Sequence, residues 1–172
     1  GGGVNDLSIY EKHKDAMKTG DLLEWRSPTL IGWGIRFVTG EMVNHSSLVI
    51  RFAEYEGLER RRYTTEALQH GTVLNLLSRR LEKFTGQVWW YPLKDDWNDK
   101  RQQIGECALK YIGIPYDFGS IFKQLIARVG VDFRAFFCSE YVWACYGMEG
   151  EAPYPGEIVK KLDIFKPAVR IL

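Results

Sequence analysis

Histidine, cysteine and methionine each occur only three times in 172 residues. Three cysteines cannot all pair within one chain, and their scatter matches no zinc spacing, so neither a disulfide framework nor a structural zinc organises the fold. The thiols are expected to be reduced, which leans toward a reducing compartment such as the cytoplasm. Charge of one sign is lacking too. With 23 Lys and Arg against 22 Asp and Glu, the net charge of +1 gives no electrostatic reason to expect nucleic acid or an anionic membrane as main partner. No run reaches the roughly 18 apolar residues needed to span a bilayer, and no internal repeat or domain-splitting linker interrupts the chain. Gly1-Gly2-Gly3, without an initiator methionine, reads as a scar or a processed end and carries no fold information.

What is present suits one soluble globular domain over 1–172, with an N-terminal helix within 4–18. Hydrophobic residues make up 45% and charged residues 26%, and six Trp, nine Tyr and nine Phe suit a packed core or a ring-lined groove. Patterning predicts an amphipathic helix from Leu7 to Lys18, then a short strand at Leu22-Leu23-Glu24-Trp25. The apolar run Thr29 to Val38, broken by Gly32 and Gly34, reads either as a core helix or as an aromatic flap carrying Trp33 and Phe37 beside a cleft. His45 to Phe52 is β-prone and predicts a central strand; Arg60 to Ala67 returns beside it through a turn containing Gly57. The three adjacent arginines at 60–62 read as a solvated strand edge.

Strands at Gly71–Asn75 and Gln87–Tyr91 and helices at Leu77–Lys83 and Asp95–Tyr111 follow. Another helix runs from about Tyr116 to Arg128. A short helix after Pro155 and a last strand over Ala168–Leu172 close the pattern. The whole predicts an α+β fold with an antiparallel sheet packed against helices.

Chemistry centres on Phe136-Phe137-Cys138-Ser139-Glu140-Tyr141, where an apolar stretch leads into a helix with Cys138, Ser139 and Glu140 in its first turn. Unpaired amides and the helix dipole there would favour the thiolate, the form that attacks carbonyls. The alternative is an inert, buried cysteine, which is also the reading for Cys107 and for Cys145, two turns beyond Cys138. A thiol nucleophile needs an imidazole and a group that holds its tautomer. His13 sits among charged residues and His70 in a polar turn, both readable as surface histidines. His45, at the start of a strand, is either a satisfied core histidine or the base. Glu66 on the returning strand is the orienting candidate, or else a carboxylate in water; one residue of register slip would turn it away. Tyr116 is a core tyrosine or an oxyanion donor, and Asp117 suits an N-cap.

Taken together, these motifs resemble the circularly permuted NlpC/P60 papain-like hydrolases, closest to the YiiX/YebB-like branch. The matching pieces are Gly20-Asp21-Leu22-Leu23, Asn44-His45-Ser46-Ser47-Leu48-Val49-Ile50 and Thr65-Glu66-Ala67. They continue in Gly113-Ile114-Pro115-Tyr116-Asp117-Phe118 and Phe137-Cys138-Ser139-Glu140-Tyr141-Val142. The order, histidine then glutamate then cysteine, is the permuted one. Ser46-Ser47 stand where relatives carry glycine or other small residues, and Thr29–Val38 has no placed counterpart. The resemblance implies a Cys138 nucleophile, a His45 base, Glu66 as third member and Tyr116 as oxyanion or site-lining group. Trp33 and Phe37 would contact substrate.

The implied activity is hydrolysis of an amide in peptidoglycan-type or related small peptides, with no metal or organic cofactor. The alternatives are a lipid acyl hydrolase or acyltransferase of the lecithin:retinol acyltransferase-like branch, docking lipid through Leu30–Val38, or a catalytically silent binding module.

Overall fold

The computed structural model describes residues 3–28, 43–68, 71–113 and 133–172, and of 133–137 the backbone alone. Thr29–Val38 with Trp33 and Phe37, His70, and the expected helix with Tyr116 and Asp117 lie outside the described residues.

Six strands form one sheet in the order β4-β3-β2-β1-β5-β6, every pair antiparallel. They are β1 (Leu22–Arg26), β2 (His45–Ile50), β3 (Tyr63–Leu68), β4 (Gly71–Leu76), β5 (Gln87–Tyr91) and β6 (Val169–Arg170). The helices are α1 (Ser8–His13), α2 (Leu77–Lys83), α3 (Arg101–Lys110), α4 (Phe133–Cys145) and α5 (Ile158–Lys161). The expected α+β class is what forms.

Alternation along the strands splits the core in two. Leu22, Leu48, Ile50 and Ala67 pack with Ile104 and Ala108 of α3, Tyr141, Val142 and Cys145 of α4, and Ile158 of α5. Leu23, Trp25 and Val49 point to the other face, where Tyr10 of α1, Leu77 and Leu81 of α2, Val88 and Ile171 cover them. Asp21, fully buried, ties the start of β1 to its neighbours. Its carboxylate accepts from the Lys18 and Leu93 amides, Trp90 Nε1 and Arg101 Nη1, at 2.7–2.9 Å.

Several expected elements are shorter in the structure. The N-terminal helix ends at His13 and continues as a 3-10 turn at Lys14–Ala16, and Asp95–Lys100 is likewise 3-10 before α3. The arginine run is not uniformly solvated. Arg62 is buried, donating through Nε to the Met17 carbonyl at 2.7 Å and through Nη1 to that of Glu59 at 3.0 Å. It thereby closes the turn before β3 onto the N-terminal segment. His13 is half-buried, its ring 5.9 Å from that of Trp90.

Candidate active site

The site forms where β2 and β3 part. Their ladder runs Ile50↔Tyr63, Val49↔Thr64, Leu48↔Thr65 and stops there, although β3 stays paired with β4 through Leu68↔Gly71. Backbone N–H groups alternate sides along a strand, and that of Val49 serves β1 through the Asp21 carbonyl. The Ser46 N–H therefore points toward β3, at a position the shortened ladder leaves open. Cys138 fills the seam: the Ser46 N–H donates to its Sγ at 3.4 Å. The sulfur thus lies one peptide link from His45, and it is fully buried. An N–H aimed at sulfur favours the charged thiolate, and burial opposes it by favouring the neutral thiol.

The helix contributes less than the sequence suggests. It begins at Phe133, so Cys138, Ser139 and Glu140 stand in its second turn and not in its first. Dipole effects fade within the first turn, and an amide six residues into a helix is committed to the carbonyl four residues back. The donor placed on this sulfur is the Ser46 amide of β2 rather than the helix's own first turn. Glu140, half-buried, has its carboxyl pushed up by burial and then by Glu151.

His45 and Glu66 meet on the α2 side of the sheet. Extending the β2–β3 register puts Ser47 opposite Glu66 and makes His45 its diagonal neighbour on the same face. His45 Nε2 lies 2.8 Å from Glu66 Oε1. Glu66 is fully buried, which by itself would raise its pKa. The hydrogen bond and charge of His45, joined by those of Arg80, outweigh burial and hold it at about 2. A carboxylate ionised at neutral pH can only accept, so Nε2 must carry the proton of the neutral ring, and Nδ1 is left as the basic nitrogen.

Sequence reasoning missed Arg80 and Trp25. Arg80, one turn into α2, donates through Nε to Glu66 Oε2 at 3.0 Å and through Nη2 to Oε1 at 3.1 Å. Its guanidinium lies 4.7 Å from the Trp25 ring centroid and 5.2 Å from that of Phe84. Trp25 pairs with His45 across β1 and β2, with ring centroids 6.1 Å apart, and its Nε1 donates to Ser47 Oγ at 2.8 Å. Asn75 Nδ2 adds a long contact to Glu66 Oε2, at 3.5 Å. The signal was faint: α2 follows β4 without a linker, so its first turn had to lie over the β3–β4 pair.

Of the six expected site residues, the structure puts His45 against Glu66 and the Cys138 sulfur against the amide of Ser46, the residue after His45; Tyr116, Trp33 and Phe37 lie outside the described residues. Cys145 is buried in the core with its thiol pushed up by burial and by Cys107, an inert environment. Among the described residues no group of three or more His, Cys, Asp or Glu is placed to hold a metal ion.

Residues 17–164 match a family described as permuted papain-like amidase enzymes, YaeF/YiiX, the peptidase C92 family. The chain belongs to that family. A solved structure described as the metalloprotein yiiX from Escherichia coli O157:H7 superposes with a TM-score of 0.57 at 16% identity. The match covers 89% of this chain and 96% of that one, and at this identity it is a likeness of fold. No curated protein matches. Membership in an amidase family agrees with the permuted order, in which β2 and β3 with His45 and Glu66 precede the cysteine helix.

Proposed function

We propose that the protein is a cysteine amidase that cleaves an amide through an acyl-enzyme on Cys138, with His45 as base and Glu66 as its orienting partner. The observation that carries this reading is the seam itself, with the Cys138 sulfur on the Ser46 amide and the neighbouring imidazole held by Glu66 at 2.8 Å.

His45 Nδ1 takes the thiol proton as Sγ bonds to the amide carbonyl carbon. The imidazolium, steadied by Glu66, then protonates the leaving nitrogen as the C–N bond breaks. Water, losing a proton to His45 Nδ1, attacks the thioester, and as the C–S bond breaks the imidazolium returns that proton to Sγ, releasing the acid and restoring the thiol. Peptidoglycan-type or related small peptides are the proposed substrate class, argued from the resemblance to NlpC/P60 hydrolases.

The test is turnover of a panel of such peptides by the parent protein and by Cys138→Ala and His45→Ala. Each variant should lose about a thousandfold or more while keeping the parent's circular dichroism. Mass mapping after iodoacetamide, an electrophile small enough for a buried thiol, should locate early alkylation at Cys138. Turnover surviving either substitution sinks the mechanism. A Cys138 that alkylates no faster than a free thiol at every pH would favour a binding module.

A further inference from the structure

We propose that Arg80 is a positioning residue of the reaction: its fork on the Glu66 carboxylate fixes the tautomer of His45 and keeps that ring available as a neutral base. The proposal rests on the reading of His45 and Glu66 given above.

Glu66 alone beside His45 would be an awkward partner. A fully buried carboxylate with one imidazole neighbour would draw the ring toward its protonated form and could rotate about its side-chain torsions. Arg80 removes both freedoms. Its two donors engage both carboxylate oxygens at 3.0 and 3.1 Å, and Oε1 is shared with His45. That planar two-point contact sets the carboxylate plane, hence the direction from which Nε2 is addressed.

The guanidinium is in turn held by stacking near Trp25 and Phe84, whose rings pack edge to face at 5.0 Å. Trp25 is also the cross-strand neighbour of His45. One aromatic floor therefore supports the base and the cation that orients its partner.

Charge balance gives Arg80 its second effect. Among the described residues, the charged or titratable groups placed against His45 or the adjoining Ser46 are Glu66 from β3, Arg80 behind it from α2, the Cys138 thiol from α4, and the buried Glu24 of β1, whose Oε1 accepts from Ser46 Oγ at 2.7 Å. Trp25 from β1 adds an uncharged ring. With Arg80 present, Glu66 and Arg80 sum to zero, and the imidazolium gains less than it would from a lone carboxylate. The cation sets the balance between neutral and protonated ring, and the fork sets which nitrogen is bare.

Titration of the His45 ring by NMR in the full-length protein, without substrate, tests both parts. In Arg80→Met, which keeps bulk over Trp25 but removes the charge, the ring's midpoint should rise by about half a unit to one unit relative to the parent. Its neutral form should become a tautomer mixture. In Arg80→Lys, which keeps the charge without the fork, the midpoint should stay near the parent's while the tautomers mix. A midpoint and a single Nε2-protonated tautomer unchanged in Arg80→Met would reduce Arg80 to packing. Should Arg80→Met not fold, retention of the single tautomer in Arg80→Lys overturns the fork by itself. Cys138→Ala separates this inference from the reading beneath it: loss of the thiol, whose ionised form would pair with the imidazolium, should lower the His45 midpoint. A ring indifferent to that change would dissolve the thiol–imidazole pair while leaving the positioning role of Arg80 intact.

Discussion

Glu66 keeps a negative charge with none of its surface exposed, because Nε2 of His45 and two guanidinium nitrogens of Arg80 lie within 3.1 Å. That arrangement links the site to stability through protons. Its pKa falls from an ordinary 4.5 to about 2 on folding. The ion's contribution is therefore complete above about pH 4.5 and is lost as pH falls toward 2, the window in which the unfolded chain binds the extra proton. Urea midpoints measured from pH 2.5 to 5 should climb with pH in the parent and climb less in Glu66→Gln; equal slopes would remove Glu66 as the linked group. At neutral pH the same variant should lose about 3 kcal/mol, since it leaves Arg80 facing a neutral amide. Its turnover should fall more mildly than that of His45→Ala, because an amide still supports the ring.

Elements decide what single residues cannot. The sulfur reaches the Ser46 amide, next to His45 in the chain, because β2 and β3 separate after Leu48↔Thr65 and α4 delivers Cys138 to the vacated position. On the other face, the start of β5 shapes the aromatic floor. Gly86 sits at a φ of 141°, and a Cβ there would lie 1.9 Å from the Arg26 carbonyl oxygen and 2.9 Å from the Phe84 ring. Backbone cannot yield as a side-chain tip can, so Gly86→Ala should push β5 off β1 and shift Phe84 from Trp25. We expect a loss of more than about 2 kcal/mol in chemical unfolding, together with lower turnover. Full stability in that variant would show that the β1–β5 junction relaxes without cost.

At the scale of the molecule, the permuted order means that the strands carrying His45 and Glu66 and the helix carrying Cys138 pack together only after the chain has closed on itself. Tyr146, just past α4, is one of the clasps: its hydroxyl donates to the Gly20 carbonyl at 2.7 Å, across 126 residues. Burial, and then Asp21 and Glu24, push its pKa well up, so it stays a neutral donor. Tyr146→Phe leaves a buried carbonyl without that donor and should cost about 1–2 kcal/mol in urea unfolding. The site lies elsewhere on α4, so turnover should persist at temperatures where the variant is folded. Loss of turnover from a fully folded Tyr146→Phe would place the clasp inside the catalytic machinery.

Much of this architecture follows from local pattern. The β-prone, mostly apolar run His45–Phe52, the boundaries of Leu77–Lys83, and the order of His45, Glu66 and Cys138 are properties of the chain that residue type and spacing can expose. Register, helix phase and cross-chain charge are not, because each depends on atoms brought together from distant segments. Whether Glu66 faces His45 rests on a diagonal fixed by the β2–β3 ladder. Cys138 lies in the second turn because the helix begins at Phe133, a start the sequence did not mark. Arg80 looks like any surface arginine of a charged helix until β4 runs straight into α2 and swings it over Glu66. Residue type and order along the chain already named the thiol, imidazole and carboxylate on offer. Which atoms of His45 face Glu66, and which amide meets the sulfur, came from packing alone, since they depend on where two strands part and which cation lies behind the carboxylate.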